Sequence, residues 1–205
     1  MLTVQTVGPR AVALERLDVF RTASPSAVLV TGLAGGCAPG LLPGDVVVGD
    51  PVVTAGADSD GDAAHPGLRA RAVRALDAAR LRYRVGPLLT VDAVVTSPAD
   101  KARWWQAEGA LAVDMESARV LAWARRAGLP ALAIRAVADG PGDEVPRELF
   151  GVVGTDGRMR PGAAARLLGH PALVGAAWRL GGRSRRALGS LARFVRAFVD
   201  LPGEP

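Results

Sequence analysis

The sequence predicts a single-domain α/β fold, with a central sheet flanked by helices and a helical C-terminal tail. A chain of 205 residues has the length of one ordinary domain and can bury its own core. Candidate strands alternate with candidate helices over residues 1–157. The later strands are continuous apolar runs rather than alternating patterns, which is typical of a sheet covered on both faces.

The first predicted elements are a β-prone segment at 2–7 and an approximate helical stripe at 10–21. A short buried strand is expected at 27–30, and the glycine-rich segment TGLAGGCAPG follows it. The valine-rich residues 46–53 continue as strand, with Pro51 marking a bulge or an edge.

The middle of the chain continues the alternation with a helix at 67–80 and a strand at 88–96. Ser97-Pro98-Ala99-Asp100 matches a helix start, because serine is a good N-cap and proline suits the first helical position.

A strand at 110–113 then leads into an amphipathic helix at 116–127, with Gly128 as its C-terminal cap. Pro130 prevents the helix from continuing, and 131–137 is again a continuous apolar strand.

Acidic side chains follow the last two predicted strands. Asp114 and Glu116 come after the first of them, and Asp139 closes the second. In open α/β sheets ligands bind beyond the carboxyl ends of the strands, where residues 32–40 would also lie. An acid at a helix start is also favoured by the helix dipole. From residue types alone, a binding role and a purely helix-stabilising role both remain open for Asp114 and Glu116.

Composition excludes several classes of site. Cys37 is the only cysteine, and the two histidines are far apart, so disulfides and zinc-ligand spacings are absent and we expect no metal. No histidine is tied to Cys37 by a recognisable motif, which makes buried packing its favoured role. TGLAGG lacks the G-x-G-x-x-G spacing of a dinucleotide site. The N-terminus does not resemble a signal peptide and no apolar run reaches ~18 residues, so we expect a cytoplasmic protein.

The basic character belongs to the tail. In residues 158–205 nine arginines oppose two acids, a net of +7, whereas residues 1–157 sum to −2, which together give the +5 of the chain. Helical segments are expected here, broken near 169–171 and 181–182. Apolar residues recur at helical spacing between the arginines, at Leu188, Leu191, Val195 and Phe198. A solvated helical face and an anionic membrane surface are both open interpretations. No recognised module supports nucleic-acid binding.

Three segments, in this order, resemble the nucleoside phosphorylase and nucleosidase superfamily: VLVTGLAGGCAPGLLPGDVVV, VDMESARVLA and LAIRAVAD. The similarity covers roughly residues 2–145, and methylthioadenosine/S-adenosylhomocysteine nucleosidases carry similar segments. The resemblance implies a mixed, twisted sheet, a homo-oligomer, and cleavage of the N-glycosidic bond of an adenine-type nucleoside. It implies no cofactor, and phosphate or water as the nucleophile.

The resemblance also implies roles for individual residues. Glu116 matches the carboxylate that holds the ribose hydroxyls, Met115 packs beneath the sugar, and Asp139 matches the acid that engages purine N7. Val94 and Val95 match positions that line the base. The loop beneath the sugar, or the phosphate in phosphorylases, corresponds to Gly32, Leu33, Ala34, Gly35 and Gly36.

The tail, TDGRMRPGAAARLLGHPALVGAAWRLGGRSRRALGSLARF, resembles the C-terminal portion of the hopanoid-associated phosphorylase branch. That branch is associated with removing adenine from adenosylhopane, so the resemblance implies a lipid-linked nucleoside as the preferred substrate. It also favours contact of the basic tail with the inner membrane surface. The alternatives are a methylthioadenosine/S-adenosylhomocysteine nucleosidase and a nucleoside-binding protein without turnover.

Two departures from the family bear on activity. Family members begin with an extra strand, and the loop after it carries an acid that activates water in the nucleosidases. This chain begins at what looks like the second strand, so we expect no counterpart of that acid. Leu33 also stands where the nucleosidases have a hydroxyl residue. A misassigned start codon, a partner that fills the gap, and a weakened enzyme are all open explanations. We therefore expect an α/β domain over 1–157 without the usual first strand, and a basic helical extension over 158–205 packed on it.

Overall fold

A computed structural model describes residues 24–57, 61–148 and 171–202, together with the isolated residues Val4 and Ala11. The strands are β1 (Val28–Gly36), β2 (Val46–Thr54), β3 (Tyr83–Thr90), β4 (Ala112–Asp114) and β5 (Ala131–Asp139). The helices are α1 (Pro66–Ala78), α2 (Pro98–Glu108), α3 (Ser117–Arg126) and α4 (Pro171–Asp200). The elements expected at 2–7 and 10–21 lie outside the described residues.

The five strands form one mixed sheet that closes into a barrel in the order β1-β4-β3-β2-β5. Three neighbouring pairs are parallel, namely β1–β5, β2–β3 and β3–β4, and the pairs β1–β4 and β2–β5 are antiparallel. The register of β2 and β3 shifts between Gly49 and Val52, which places the irregularity expected at Pro51. The predicted mixed sheet is therefore confirmed.

Helices cover both faces of this sheet, as the apolar strands predict. Alternate residues of β5 point to opposite sides because side chains in a strand have a period of two. Leu132 and Ile134 pack in a buried cluster with residues of α1 and α4. Ala133 and Val137 belong to a second buried cluster, which includes Leu121 of α3.

The helix boundaries follow the local signals in the sequence. The Ser97 hydroxyl accepts a hydrogen bond from the backbone N–H of Asp100 at 3.1 Å, which caps the start of α2. Gly109 follows α2 with φ +62°, and Gly128 lies just beyond α3 with φ +69°. Glycine suits both positions because left-handed backbone is costly for residues with a Cβ.

Two strand predictions are wrong in extent. The strand expected at 27–30 continues through the glycine-rich segment, so residues 32–36 form the second half of β1 instead of a loop. This segment pairs with β5 in parallel register as far as Ala34↔Val137. The strand expected at 88–96 instead begins at Tyr83 and ends at Thr90, because its pairing with β2 starts at Val46↔Tyr83. Residues 91–95 are left as a loop beyond the strand end.

The predicted break at 181–182 is also wrong, because α4 runs unbroken from Pro171 to Asp200. Gly181 and Gly182 are exposed, and an added Cβ would meet nothing within 4 Å at either. Each glycine costs a helix up to about 1 kcal/mol relative to alanine. Packing of the residues that follow, Ala187, Leu191 and Phe194, against α1 and β5 offsets this cost.

The apolar stripe of the tail faces the protein core. Leu191 is 7% exposed, and Val195 and Phe198 pack with it in the cluster shared by α1, α4 and β5. Leu188, at 53% exposure, is the member that faces solvent. The membrane interpretation therefore loses most of the surface on which it was based. None of the helices in the described ranges is long and apolar enough to cross a bilayer.

Arginine side chains hold the end of α4 on the domain. Arg71 of α1 donates to the carbonyl oxygens of Phe198 and Leu201, at 2.9 Å and 2.8 Å, and its guanidinium lies over the Phe198 ring. Arg193 donates in the opposite direction, to the carbonyl oxygen of Ala79 after α1. Two of the chain's many arginines thus serve as structural donors to helix C-termini, where carbonyls lack partners within the helix.

Candidate active site

The predicted site residues converge at one end of the barrel because three strands terminate there. Gly35 of β1 pairs with Asp139 of β5 on one side and with Val113 of β4 on the other. An added Cβ at Gly35 would lie 3.3 Å from Asp139 Oδ2 and 3.4 Å from a methyl of Val113. The small residue therefore lets the two strand ends approach closely, which brings Asp139 near the segment that carries Glu116.

A cavity of about 270 Å³ opens at this junction. Eight of the ten predicted site residues line it: Leu33, Ala34, Gly35, Val94, Val95, Met115, Glu116 and Asp139. Gly32 and Gly36 are not among the lining residues and lie within β1 on either side of them. The cavity wall is mainly apolar and includes three carboxylates, those of Asp114, Glu116 and Asp139, which is the usual character of a small-molecule site.

Glu116 lies at the N-terminus of α3, where it is the N-cap residue. Its side chain is 19% exposed and lies 3.5 Å from the guanidinium of Arg135, a nearly buried residue of β5. Arg135 also contacts the Asp114 carboxylate at 2.5 Å and donates through Nε to the Ser117 hydroxyl at 3.0 Å. Arg135 therefore holds both acids of the VDMES segment from one side.

Asp114 also lines the cavity, but its side chain is completely buried and its carboxylate is engaged by neighbouring groups of the protein. One of its oxygens accepts from the Thr90 hydroxyl at 2.7 Å, and the carboxylate accepts from the backbone N–H of Ser117 at the start of α3. The Thr90 hydroxyl in turn accepts from the N–H of Ala118 at 2.9 Å. Asp114 thus caps α3 and connects it to β3 and β4. This is the helix-stabilising role, one of the two that the sequence left open.

Asp139 is almost buried, with 9% of its surface exposed, and it forms an ion pair with Lys101. Burial raises the pKa of the Asp139 carboxyl above its ordinary range, and this effect outweighs the lowering by the Lys101 ammonium. Asp143 raises the pKa further, whereas Arg183 lowers it. A carboxyl with a raised pKa can hold a proton nearer neutral pH, which suits a general acid.

Sequence reasoning missed two charged residues at the site and several residues of the cavity wall. Lys101 and Arg135 carry the charges opposite the acids, and Leu180 and Ser184 of α4 complete the cavity wall. The sequence did contain a clue to Lys101, because it is the only lysine beside 24 arginines. It contained a clue to Arg135 too, as the single charge inside the apolar run ALAIRAVA. No local pattern connects α4 with the cavity.

Cys37 lies close to the site but does not have the properties of a nucleophile. It is 1% exposed, and burial raises the pKa of its thiol to about 12, with Lys101 lowering it and Asp139 raising it. The nucleophilic form of cysteine is the thiolate, so this thiol is inert at neutral pH. It packs with Leu89, Ala110 and Val113 as a small apolar residue.

Comparison with solved structures shows what this fold is similar to. Futalosine hydrolase of Helicobacter pylori strain 26695 superposes with a TM-score of 0.68 at 17% identity, over 94% of this chain and 76% of that one. The methylthioadenosine/S-adenosylhomocysteine nucleosidase of Neisseria meningitidis, in complex with methylthio-immucillin-A, gives 0.68 at 21% identity, over 94% and 77%. The nucleosidase of the same type from Helicobacter pylori, with butyl-thio-DADMe-Immucillin-A, gives 0.67 at 17% identity, over 94% and 76%.

These identities are low, so the likeness establishes the fold, which is nucleoside phosphorylase-like. No curated protein is similar enough in sequence to count as a match. A family model described as the Phosphorylase superfamily matches residues 1–168, which is most of the chain. The chain therefore belongs to the Phosphorylase superfamily.

Proposed function

We propose that this protein cleaves the N-glycosidic bond of a purine nucleoside and releases adenine. One observation carries the proposal: Glu116 and Asp139, the two acids expected to hold the sugar and the base, lie on the wall of the same cavity. The two acids belong to different elements and are not neighbours in the sequence. The closure of β1 against β4 and β5 brings them together.

Asp139 would act as the general acid. Breaking the bond between C1′ and N9 leaves the electron pair on the base, and protonation at N7 lets the base depart neutral. Burial raises the pKa of Asp139 and so keeps its proton available. General acid catalysis of this kind contributes typically ~10²–10⁴-fold to the rate.

Glu116 would bind the ribose. Its partly exposed carboxylate can accept hydrogen bonds from two vicinal hydroxyls, and its charge favours the oxocarbenium character that develops at C1′. The guanidinium of Arg135 lies 3.5 Å from the Glu116 carboxylate. This contact restricts the rotation of the Glu116 side chain and so orients its carboxylate. Met115 and the valines at 94 and 95 supply the apolar surface that a sugar and a purine would cover.

The nucleophile would be water or phosphate, whose oxygen bonds to C1′ while its proton returns to the Asp139 carboxylate. The glycine-rich segment was expected to cradle phosphate as a loop, but it is extended strand, so this support for phosphorolysis is weakened. Assays with and without phosphate decide between the two.

The preferred substrate would be adenosylhopane, on the resemblance of the tail to the hopanoid-associated branch. Leu180 and Ser184 of this tail line the cavity, so the segment that carries the resemblance can contact the substrate. A methylthioadenosine/S-adenosylhomocysteine nucleosidase is the second candidate. It is favoured by the fold shared with solved enzymes of that name.

The decisive experiment measures adenine release from adenosylhopane, methylthioadenosine and S-adenosylhomocysteine, each with and without phosphate. Glu116→Gln should lower kcat/KM about 10- to 100-fold, since a hydrogen bond to a charged group is worth about 1.5–3 kcal/mol. Glu108→Gln, on the exposed end of α2, is the matched control and should retain full activity. Nucleoside binding without adenine release would leave a binding protein and reject the enzymatic proposal.

A further inference from the structure

The unusual feature of this site is its cation. Lys101 has no exposed surface, whereas lysine is almost never fully buried in proteins unless it is paired. It is also the only lysine in a chain whose other 24 basic residues are arginine. Because every other basic residue is arginine, the question is whether the position of Lys101 requires an ammonium group in place of a guanidinium.

The geometry around Lys101 explains that requirement. Its ammonium group has three N–H donors, and three acceptors surround it. Nζ donates to Asp139 Oδ2, to the carbonyl oxygen of Gly140 at 2.9 Å, and to the carbonyl oxygen of Asp143 at 2.8 Å. A guanidinium presents five donors in a planar fork and would leave buried N–H groups without acceptors. The pocket is therefore matched to an ammonium ion.

We propose that Lys101 is the positioning residue of Asp139 and the counter-charge for the carboxylate that Asp139 becomes when it gives up its proton. This inference rests on the proposed function of Asp139 as the purine acid. Because Oδ2 is committed to Lys101, Oδ1 is the oxygen presented to the nucleoside. The two carbonyl contacts tie the end of β5 and its following loop to α2, which fixes the direction of the Asp139 side chain.

The charge of Asp139 changes when its proton is transferred to the base. When Asp139 protonates N7, the bond between C1′ and N9 breaks with its electron pair on the base, and a carboxylate is left where burial disfavours one. Lys101 is in contact with that carboxylate throughout, so the charge is compensated as it forms. Water or phosphate then supplies the oxygen at C1′ and its proton restores Asp139.

Other groups near Asp139 act less directly. Asp143 accepts from the backbone N–H of Gly140 at 2.8 Å and pairs with Arg183 of α4 at 2.8 Å, so these two charges partly cancel. The Cys37 thiol is un-ionised, because burial raises its pKa to about 12. Lys101 is the cation in direct contact with Asp139.

A single lysine permits a test that does not depend on turnover. Selective ¹⁵N labelling of lysine in the full chain yields one side-chain Nζ signal. We expect this signal to shift with pH as Asp139 titrates, and the step to vanish in Asp139→Asn. The matched control is Asp92→Asn, an acid with a 90% exposed side chain, which should keep the step. An Nζ titration that is the same in the wild type and in Asp139→Asn would overturn the proposal.

Kinetics test the catalytic part with Lys101→Met, Asp139→Asn and the double variant. Lys101→Met should lower kcat roughly 10- to 100-fold with little change in KM, less than the loss on removing the acid itself. The active form carries the proton on Asp139, and Lys101 lowers the pKa of Asp139. Loss of Lys101 should therefore move the alkaline limb of the pH–rate profile to higher pH.

The double variant separates positioning from folding. If Lys101 acts through Asp139, the double variant should be no slower than Asp139→Asn alone. Losses that multiply, or an alkaline limb that does not move, would reject the inference while leaving the proposed function intact. Absence of adenine release by the wild type would instead reject the proposed function, and the pH dependence of the Nζ signal would still decide whether Lys101 senses the charge of Asp139.

Discussion

The guanidinium of Arg135 occupies the space in which a side chain at Gly32 would lie. A Cβ built on Gly32 would be 1.9 Å from Arg135 Nη1, far closer than any non-bonded contact allows. Arg135 cannot easily move away, because Asp114 and Ser117 hold the rest of its guanidinium. Gly32 is therefore required by the buried ion network.

Gly32→Ala should consequently destabilise the fold and impair the site together. Overpacking of this kind costs about 1–3 kcal/mol, measurable as the free energy of unfolding in urea. Displacement of Arg135 should also lower kcat/KM, since Glu116 loses its support. Gly189→Ala is the matched control: Gly189 is an exposed glycine of α4 with nothing within 4 Å of an added Cβ, and the change should stabilise the fold slightly. Equal stability of the two variants would contradict the packing argument.

Asp114→Asn should act mainly on stability. The side chain is completely buried, and the change removes the negative partner of Arg135, which leaves a buried positive charge with weaker compensation. Loss of one partner of a buried ion pair costs about 3–5 kcal/mol. Urea unfolding of this variant beside Glu116→Gln should show a large loss for Asp114 and a small one for the partly exposed Glu116. The reverse order would show that Asp114 is not the anchor of α3.

The free energy of unfolding should depend on pH through the protonation of Asp139. Because burial raises its pKa in the folded protein, the folded state binds this proton more tightly than the unfolded state does. Stability from this group is then present below its ordinary pKa of 3.8 and is lost as pH rises through the raised value. The difference in unfolding free energy between wild type and Asp139→Asn, followed across this window, isolates the effect. A wild type that gains stability relative to the variant as pH rises would contradict the sign.

Thiol labelling provides a direct check of the Cys37 environment. The buried thiol, whose pKa is raised to about 12, should not react with a thiol reagent at neutral pH in the native protein. Full reaction is expected in denaturant, and since Cys37 is the only cysteine the reading is unambiguous. Rapid labelling of the native chain would mean that the buried cluster around Cys37 opens to solvent.

Local chemistry made the helix boundaries and most strands predictable. Ser97 caps α2 and Gly128 follows α3 because N-caps and left-handed glycines depend on neighbouring residues alone. The predicted extents were wrong where distant pairing decides. TGLAGG is strand because β5 lies beside it, and the helix of the tail crosses Gly181-Gly182 because the residues after them pack against α1 and β5.

The sequence by itself determined the alternation of apolar strands and helices, the acids at the strand ends, and the family segments that identify Glu116 and Asp139. Tertiary structure alone decided how those acids are supported. Lys101 is 38 residues from Asp139, and Gly32 and Arg135 are farther apart still, so no local pattern links either pair. Charges that are buried must meet partners inside the fold, and the closure of the barrel determines which residues those partners are.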